Sequence, residues 1–103
     1  MSGDIVVTGM GIVSSIGFGV EETFRSLVDM HTGIAPLSVL DTIHKEEFVM
    51  GEVKLTHREL MTKAGVDAGK PWTRTALLGA IAAKQAVSNA ALSSEELKTT
   101  GLI

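Results

Sequence analysis

The chain contains no cysteine, which removes disulfides, thiolate metal ligands and cysteine nucleophiles. Only two prolines occur, Pro36 and Pro71, and both fall between periodic segments, where they punctuate the chain without breaking an element. There is no run of like charge. The 9 Lys and Arg are scattered singly against 12 Asp and Glu for a net charge of −3, so the basic footprint of a nucleic-acid or anionic-membrane binder is missing. The longest apolar stretch, Ala76 to Ala83, is too short to cross a bilayer, and Met1-Ser2-Gly3-Asp4 lacks the positive region of a signal peptide. These absences point to a cytoplasmic chain with neither nucleic acid nor membrane as partner. Aromatic residues make up only 4%, so a core must be built from Ala, Val, Ile, Leu and Met, and 11 glycines favour close backbone approach. Neither an internal repeat nor a low-complexity tract is visible.

The 103 residues suffice for one small domain, and 45% hydrophobic with 20% charged residues is the balance of an ordinary globular protein. Ile5 to Thr8 is a continuously apolar, β-branched run that suits a central strand buried on both faces. From Val20 the period changes: Val20, Phe24, Leu27 and Val28 stand at i, i+4, i+7 and i+8, with Glu21 and Glu22 where a helix dipole favours them. Gly33 is the expected helix stop. Phe48 to Val53 reads as a second strand, with Gly51 marking a bulge or a close approach. Thr56-His57-Arg58-Glu59 has capping-box spacing and Gly65 a terminator, which predicts a helix from Thr56 to Ala64. The strongest helix runs from about Thr73 to Ala91. Ala76, Gly79, Ala80, Ala83, Ala86 and Ala90 form a small-residue stripe along it, flanked by Leu77, Leu78, Ile81 and Val87. Lys84, Gln85, Ser88 and Asn89 are its wet side, so it is expected to be nearly buried against a helix or sheet. Ser93-Ser94-Glu95-Glu96 is a second capping box. Thr99 to Ile103 then reads as a strand cut short, and the chain is expected to be the first part of something longer.

The apolar run ending in Gly9 and Gly11 invites a nucleotide-binding reading, which its details oppose. The dinucleotide fingerprint needs a third glycine where Ser14 stands, and a helix opening at the loop, whereas the helical pattern begins only near Val20. Asp29 lies at about the right distance for a ribose-binding acid but falls in the last turn of the first helix. No Gly-Lys-Ser or Gly-Lys-Thr is present for a phosphate loop. The glycines are therefore expected to permit close backbone approach.

The remaining chemistry-bearing residues form no constellation. His31 belongs to a helix end, His44 to the polar loop Asp41 to Glu47, and His57 to a first helical turn, none spaced with a carboxylate or nucleophile. Asp41, Glu46 and Glu47 have no regular ligand spacing. Met10, Met30, Met50 and Met61 make no helical stripe. Arg74, at the start of the long helix, is expected to form a structural ion pair.

Taken together, Val6-Val7-Thr8-Gly9-Met10-Gly11-Ile12-Val13-Ser14 with Gly17, Val20-Glu21-Glu22-Thr23-Phe24, Thr32-Gly33-Ile34 and Trp72-Thr73-Arg74-Thr75-Ala76-Leu77-Leu78 resemble the amino-terminal part of the β-ketoacyl-acyl-carrier-protein synthases. The resemblance runs almost the whole length, with Met50 to Lys70 the least distinctive. It implies an α/β, thiolase-like fold, of which residues 1–103 would supply the first strand-helix-strand-helix portion of the amino-terminal half, part of a mixed sheet between helices. It further implies acyl transfer and decarboxylative condensation of an acyl thioester with a malonyl-carrier protein, in fatty-acid or polyketide synthesis. The implied partners are acyl carrier protein, the acyl and malonyl thioesters, and a second subunit in a homodimer or ketosynthase heterodimer. Family members act through a cysteine and two histidines, and no residue here corresponds to any of them. The resemblance thus assigns no catalytic, cofactor-binding or metal residue to this chain and implies no cofactor. Two alternatives stand beside the synthase: a noncatalytic partner of the same fold, like the chain-length factors, and a small stand-alone α/β domain binding an anion or nucleotide.

Overall fold

A computed structural model describes residues 3–102, a small mixed α/β domain with two separate two-stranded antiparallel sheets and four helices among those residues. Residues 3–12, in neither helix nor strand, lead into a hairpin of β1 (Val13–Ser14) and β2 (Gly17–Phe18), paired Val13↔Phe18 and Ser14↔Gly17. Helix α1 (Val20–Val28) follows, then β3 (Ile34–Pro36), which pairs with β4 (Val49–Gly51) in the register Ile34↔Gly51, Ala35↔Met50, Pro36↔Val49. Helices α2 (His57–Ala64), α3 (Arg74–Ala90) and α4 (Ser94–Leu97) complete the chain. None of these helices is long and apolar enough to cross a membrane.

The core is the α2–α3 contact. Leu60 and Ala64 of α2 meet Leu77 and Ile81 of α3, all four buried, and Val13, Phe18, Leu55, Met61, Trp72 and Leu78 pack around them. Removing Leu60 and Leu77 from water contributes about 1.5–3 kcal/mol each. Caps hold both helices in place. Thr56 and Glu59 exchange a capping box at the start of α2, which ends in Gly65 at φ 66°, the left-handed turn a glycine takes without strain. Thr73 caps α3 by accepting from the Ala76 amide at 3.1 Å, and Lys84 reaches back from α3 to donate to the Ala64 carbonyl. Lys84 thus satisfies a C-terminal carbonyl of one helix from the side of the other. Ser93 and Glu96 form the second expected capping box, on α4.

Four expectations need correction. Ile5 to Thr8 forms no strand, with Ile5 99% exposed: it joins neither sheet among the described residues. Helix α1 forms as the periodicity requires, yet its apolar face stays in solvent, with Phe24 67% exposed. It packs instead through Thr23 against Gly17 and through Ser26, whose hydroxyl donates to the Ile16 carbonyl at 2.6 Å. Its stop is not Gly33. Met30 takes the left-handed conformation at φ 52°, and the His31 amide donates back to the Ser26 carbonyl at 2.8 Å, closing a Schellman motif before Gly33 is reached. Gly33 serves β3 entry, where a Cβ would strike the Ser15 side chain. Finally, Thr99 and Thr100 are no strand: their hydroxyls donate to the Glu96 carbonyl and wrap the end of α4. Ile103, like Met1 and Ser2 of the expected non-signal terminus, lies outside the described residues.

The surface is large for the mass. The accessible area of 7973 Å² compares with about 5500 Å² for a compact 10.8 kDa monomer. The radius of gyration is 16.5 Å, where a compact chain of this length has about 13 Å, and the principal extents are 57 × 39 × 20 Å. Such a slab leaves Val6, Val7, Phe24, Leu27, Val28 and Met30 without cover. Because the core is so small, its residues are expected to dominate stability. Leu77→Ala should cost about 2–5 kcal/mol and Thr56→Ala about 1 kcal/mol, read from urea unfolding followed by Trp72 fluorescence at one protein concentration.

Candidate functional site

The two glycines of the opening loop touch α3. A Cβ on Gly9 would stand 2.5 Å from the Ala86 carbonyl oxygen and 2.6 Å from the Ala90 amide nitrogen. One on Gly11 would overlap the Ala82 carbonyl oxygen and lie 2.8 Å from the Ala86 amide nitrogen. Both glycines therefore let an extended backbone lie directly on a helix backbone, over Ala82, Ala86 and Ala90. Two side chains of α3 hold it there: Asn89 Oδ1 accepts from the Met10 amide at 3.0 Å, and Gln85 Oε1 accepts from the Ile12 amide at 2.8 Å. One turn apart on the helix, these carbonyls match amides two residues apart on the extended chain.

This geometry corrects the reading of α3. Gln85 and Asn89, expected on its wet side, instead bind backbone. The small-residue stripe is divided: Ala86 and Ala90 meet the glycine segment, whereas Ala76, Gly79 and Ala83 are exposed, since nothing among the described residues covers that side of the helix. The sequence signal that could have shown the docking is a pair of amide side chains four apart beside alanines. The loop is also remote from any helix start, because α1 opens at Val20 behind Gly19, and the contact of Gly9 and Gly11 falls on the second half of α3. A phosphate cradle needs amides pointing out of a helix N-terminus, and no helix starts at this loop.

A cleft of about 470 Å³ lies between the β1–β2 hairpin, α1 and residues 53–55. Ser14, Glu22, Ser26, His31, Lys54 and Lys63 reach it. They form no nucleophile and base pair. Ser26 is committed to the Ile16 carbonyl, Ser14 Oγ accepts from the Ile16 amide at 3.3 Å, and Lys63 Nζ lies 4.7 Å from the centre of the Phe18 ring. The other two histidines lie elsewhere. His44 Nδ1 faces Glu47 Oε2 at 3.2 Å in an exposed i, i+3 pair, and His57 opens α2 on the surface. Asp41, Glu46 and Glu47 do not converge, and among the described residues no group of three His, Asp or Glu could hold a metal ion.

Two charged residues have structural roles that their sequence neighbourhoods only partly signal. Arg74 forms no ion pair among the described residues, contrary to expectation. Its guanidinium donates to the Leu55 carbonyl at 2.8 Å and the Val53 carbonyl at 2.6 Å, so it ties the start of α3 to the chain that follows β4. Glu52, which sequence reasoning missed, is buried, and its carboxylate accepts from Lys54 Nζ at 2.8 Å and from the amides of Ser38, Val39 and Leu40, the last at 2.6 Å. The Lys54 ammonium first, and then the three amides, hold the Glu52 carboxyl far below the usual carboxylate range. A lone glutamate ending an apolar strand was the available sign. Compared with known proteins, the chain matches no family model, no curated protein and no solved structure.

Two outcomes follow. Gly11→Ala should lift residues 9–12 from α3 and cost about 1–3 kcal/mol, because the obstructing atoms are helix backbone and cannot swing aside; calorimetric titration with nucleotides should show no binding to wild type or variant. For Glu52 the folded pKa lies below the unfolded one, so its contribution is present above about pH 4 and is lost as pH falls below that. Glu52→Gln should therefore lower the thermal midpoint at pH 7 and flatten its decline under acid relative to wild type, read by circular dichroism across pH 2–7.

Proposed function

We propose that this chain is an amino-terminal, thiolase-like segment of a 3-oxoacyl-carrier-protein synthase, an acyltransferase that condenses an acyl thioester with a malonyl-carrier protein. One observation carries the reading: Gly9 and Gly11, the centre of the stretch VVTGMGIVS, lie against the alanines of the helix that follows Trp72-Thr73-Arg74. The two most distinctive parts of the resemblance are thus one packed unit. The exposed apolar run from Ile5 to Val7 supports it as well: it joins no sheet among the described residues, and a central strand of a larger sheet needs neighbours that these residues do not supply.

On this reading the chain's role is scaffolding. Its tight glycine-to-helix contact sets the depth at which the first strand enters the sheet, and its helices cover one side of that sheet. The condensing chemistry requires a thiolate nucleophile to carry the acyl group and an environment that stabilises the oxyanion. With no cysteine in the sequence, that nucleophile has to come from other polypeptide. The carrier protein and the acyl and malonyl thioesters are the partners of the whole enzyme.

The test has two arms. The 103-residue chain should be inert toward acyl- and malonyl-carrier protein, with no decarboxylation and no 3-oxoacyl product by mass spectrometry. The reading frame continued past codon 103 should encode a cysteine in a small-residue-rich turn from strand to helix, and its product should catalyse the condensation. A continued product that neither has that cysteine nor condenses would sink the synthase reading.

A further inference from the structure

The β3–β4 connection, residues 38–48, is fastened to the rest of the chain by one side chain. Its internal hydrogen bonds are local: Thr42 Oγ1 accepts from the His44 amide, the Thr42 carbonyl from the Lys45 amide, and the His44 carbonyl from the amides of Glu47 and Phe48. The α2–α3 core takes no side chain from this segment, and Ile43 and Phe48 are 90% and 54% exposed. Among the described residues, and beyond the β3–β4 ladder, every hydrogen bond that leaves it ends on Glu52. The Glu52 carboxylate, its side chain 1% exposed, accepts from the amides of Ser38 at 2.9 Å, Val39 at 3.2 Å and Leu40 at 2.6 Å. Lys54 steadies that carboxylate at 2.8 Å and donates to the Pro36 carbonyl at 3.0 Å, just before the segment begins.

We propose that residues 38–48 are a strap that opens and closes as a unit while α2 and α3 stay folded, with the Glu52 carboxylate as its latch and the Pro36↔Val49 pair as its hinge. Release is concerted because three consecutive amides share one acceptor group, so a carboxylate withdrawn from one of them is withdrawn from all. It is separable from global unfolding because opening pulls no side chain out of the α2–α3 core and breaks no helix. The latch requires an ion. A carboxylate offers two charged oxygens to the amides, whereas a carboxamide offers one neutral oxygen and sets its own NH2 against N–H donors. The closed strap keeps Glu52 from water, and the open one presents the Glu52–Lys54 pair to solvent. This inference does not rest on the condensing-enzyme reading.

Amide hydrogen exchange of the folded 103-residue chain in low urea tests the strap. The amides of Ser38, Val39 and Leu40 should be protected to the same degree and exchange at rates nearly independent of urea, whereas those of Leu77 and Ile81 should accelerate with urea as global unfolding does. Glu52→Gln should speed exchange at residues 38–40 by about tenfold or more while the helical circular dichroism is retained. Lys54→Met, which keeps the carboxylate and removes its cation and the bond to the Pro36 carbonyl, should speed it as well. Unprotected amides at residues 38–40, unequal protection among the three, a urea dependence matching that of Ile81, or unchanged exchange in both variants would each overturn the proposal. The wild-type outcomes decide it whether or not a variant folds.

Discussion

The contact on which this structure turns is backbone against backbone, where Gly9 and Gly11 lie on the Ala82, Ala86 and Ala90 side of α3. With hydrogen alone on those two Cα atoms, an extended chain approaches a helix closely enough for Asn89 and Gln85 to bind the Met10 and Ile12 amides. That seat fixes where the β1–β2 hairpin begins. The hairpin in turn delivers Val13 and Phe18 to the α2–α3 core and sets the position of α1 through Gly17 and Thr23. Any side chain at either glycine would have to displace helix backbone, which is costly because each peptide group there is already hydrogen-bonded.

The charged groups with structural roles follow a common logic. Arg74, Lys84, Glu52 and Lys54 all bind backbone polar groups that the helices and loops leave unpaired: carbonyls of residues 53 and 55, the last carbonyl of α2, the amides of residues 38–40, and the Pro36 carbonyl. In a chain with so small a core, unmatched backbone groups would be a serious loss, and long charged side chains reach them from across the loop connections. By contrast, the surface pairs Glu21–Arg25, His44–Glu47 and Glu95–Lys98 are exposed and contribute little.

The uncovered surface carries as much information as the core. The segment Ile5–Val7 and the outer face of α1 are apolar, adjacent to the glycine seat and open to solvent. On the condensing-enzyme reading they are the surfaces that a larger α/β sheet would occupy. A slab with an area well above that of a compact monomer has apolar surface to bury.

The sequence by itself determined the local elements. The Thr56 and Ser93 capping boxes, the Gly65 terminator and the Val20 periodicity are decided within a turn or two of chain, and all appear where the spacing puts them. It also argued against a phosphate cradle at the glycine loop, since the missing third glycine and the late helix start are local features. Only tertiary structure decided that Gln85 and Asn89 bind the amides of Met10 and Ile12, that Arg74 serves carbonyls and no carboxylate, that Glu52 holds the loop at residues 38–40, and that the apolar stripe of α1 faces water. Periodicity reports that a face is apolar. Whether that face is covered, and which distant carbonyl or amide a polar side chain meets, depends on contacts between residues far apart in the chain, which no local pattern encodes.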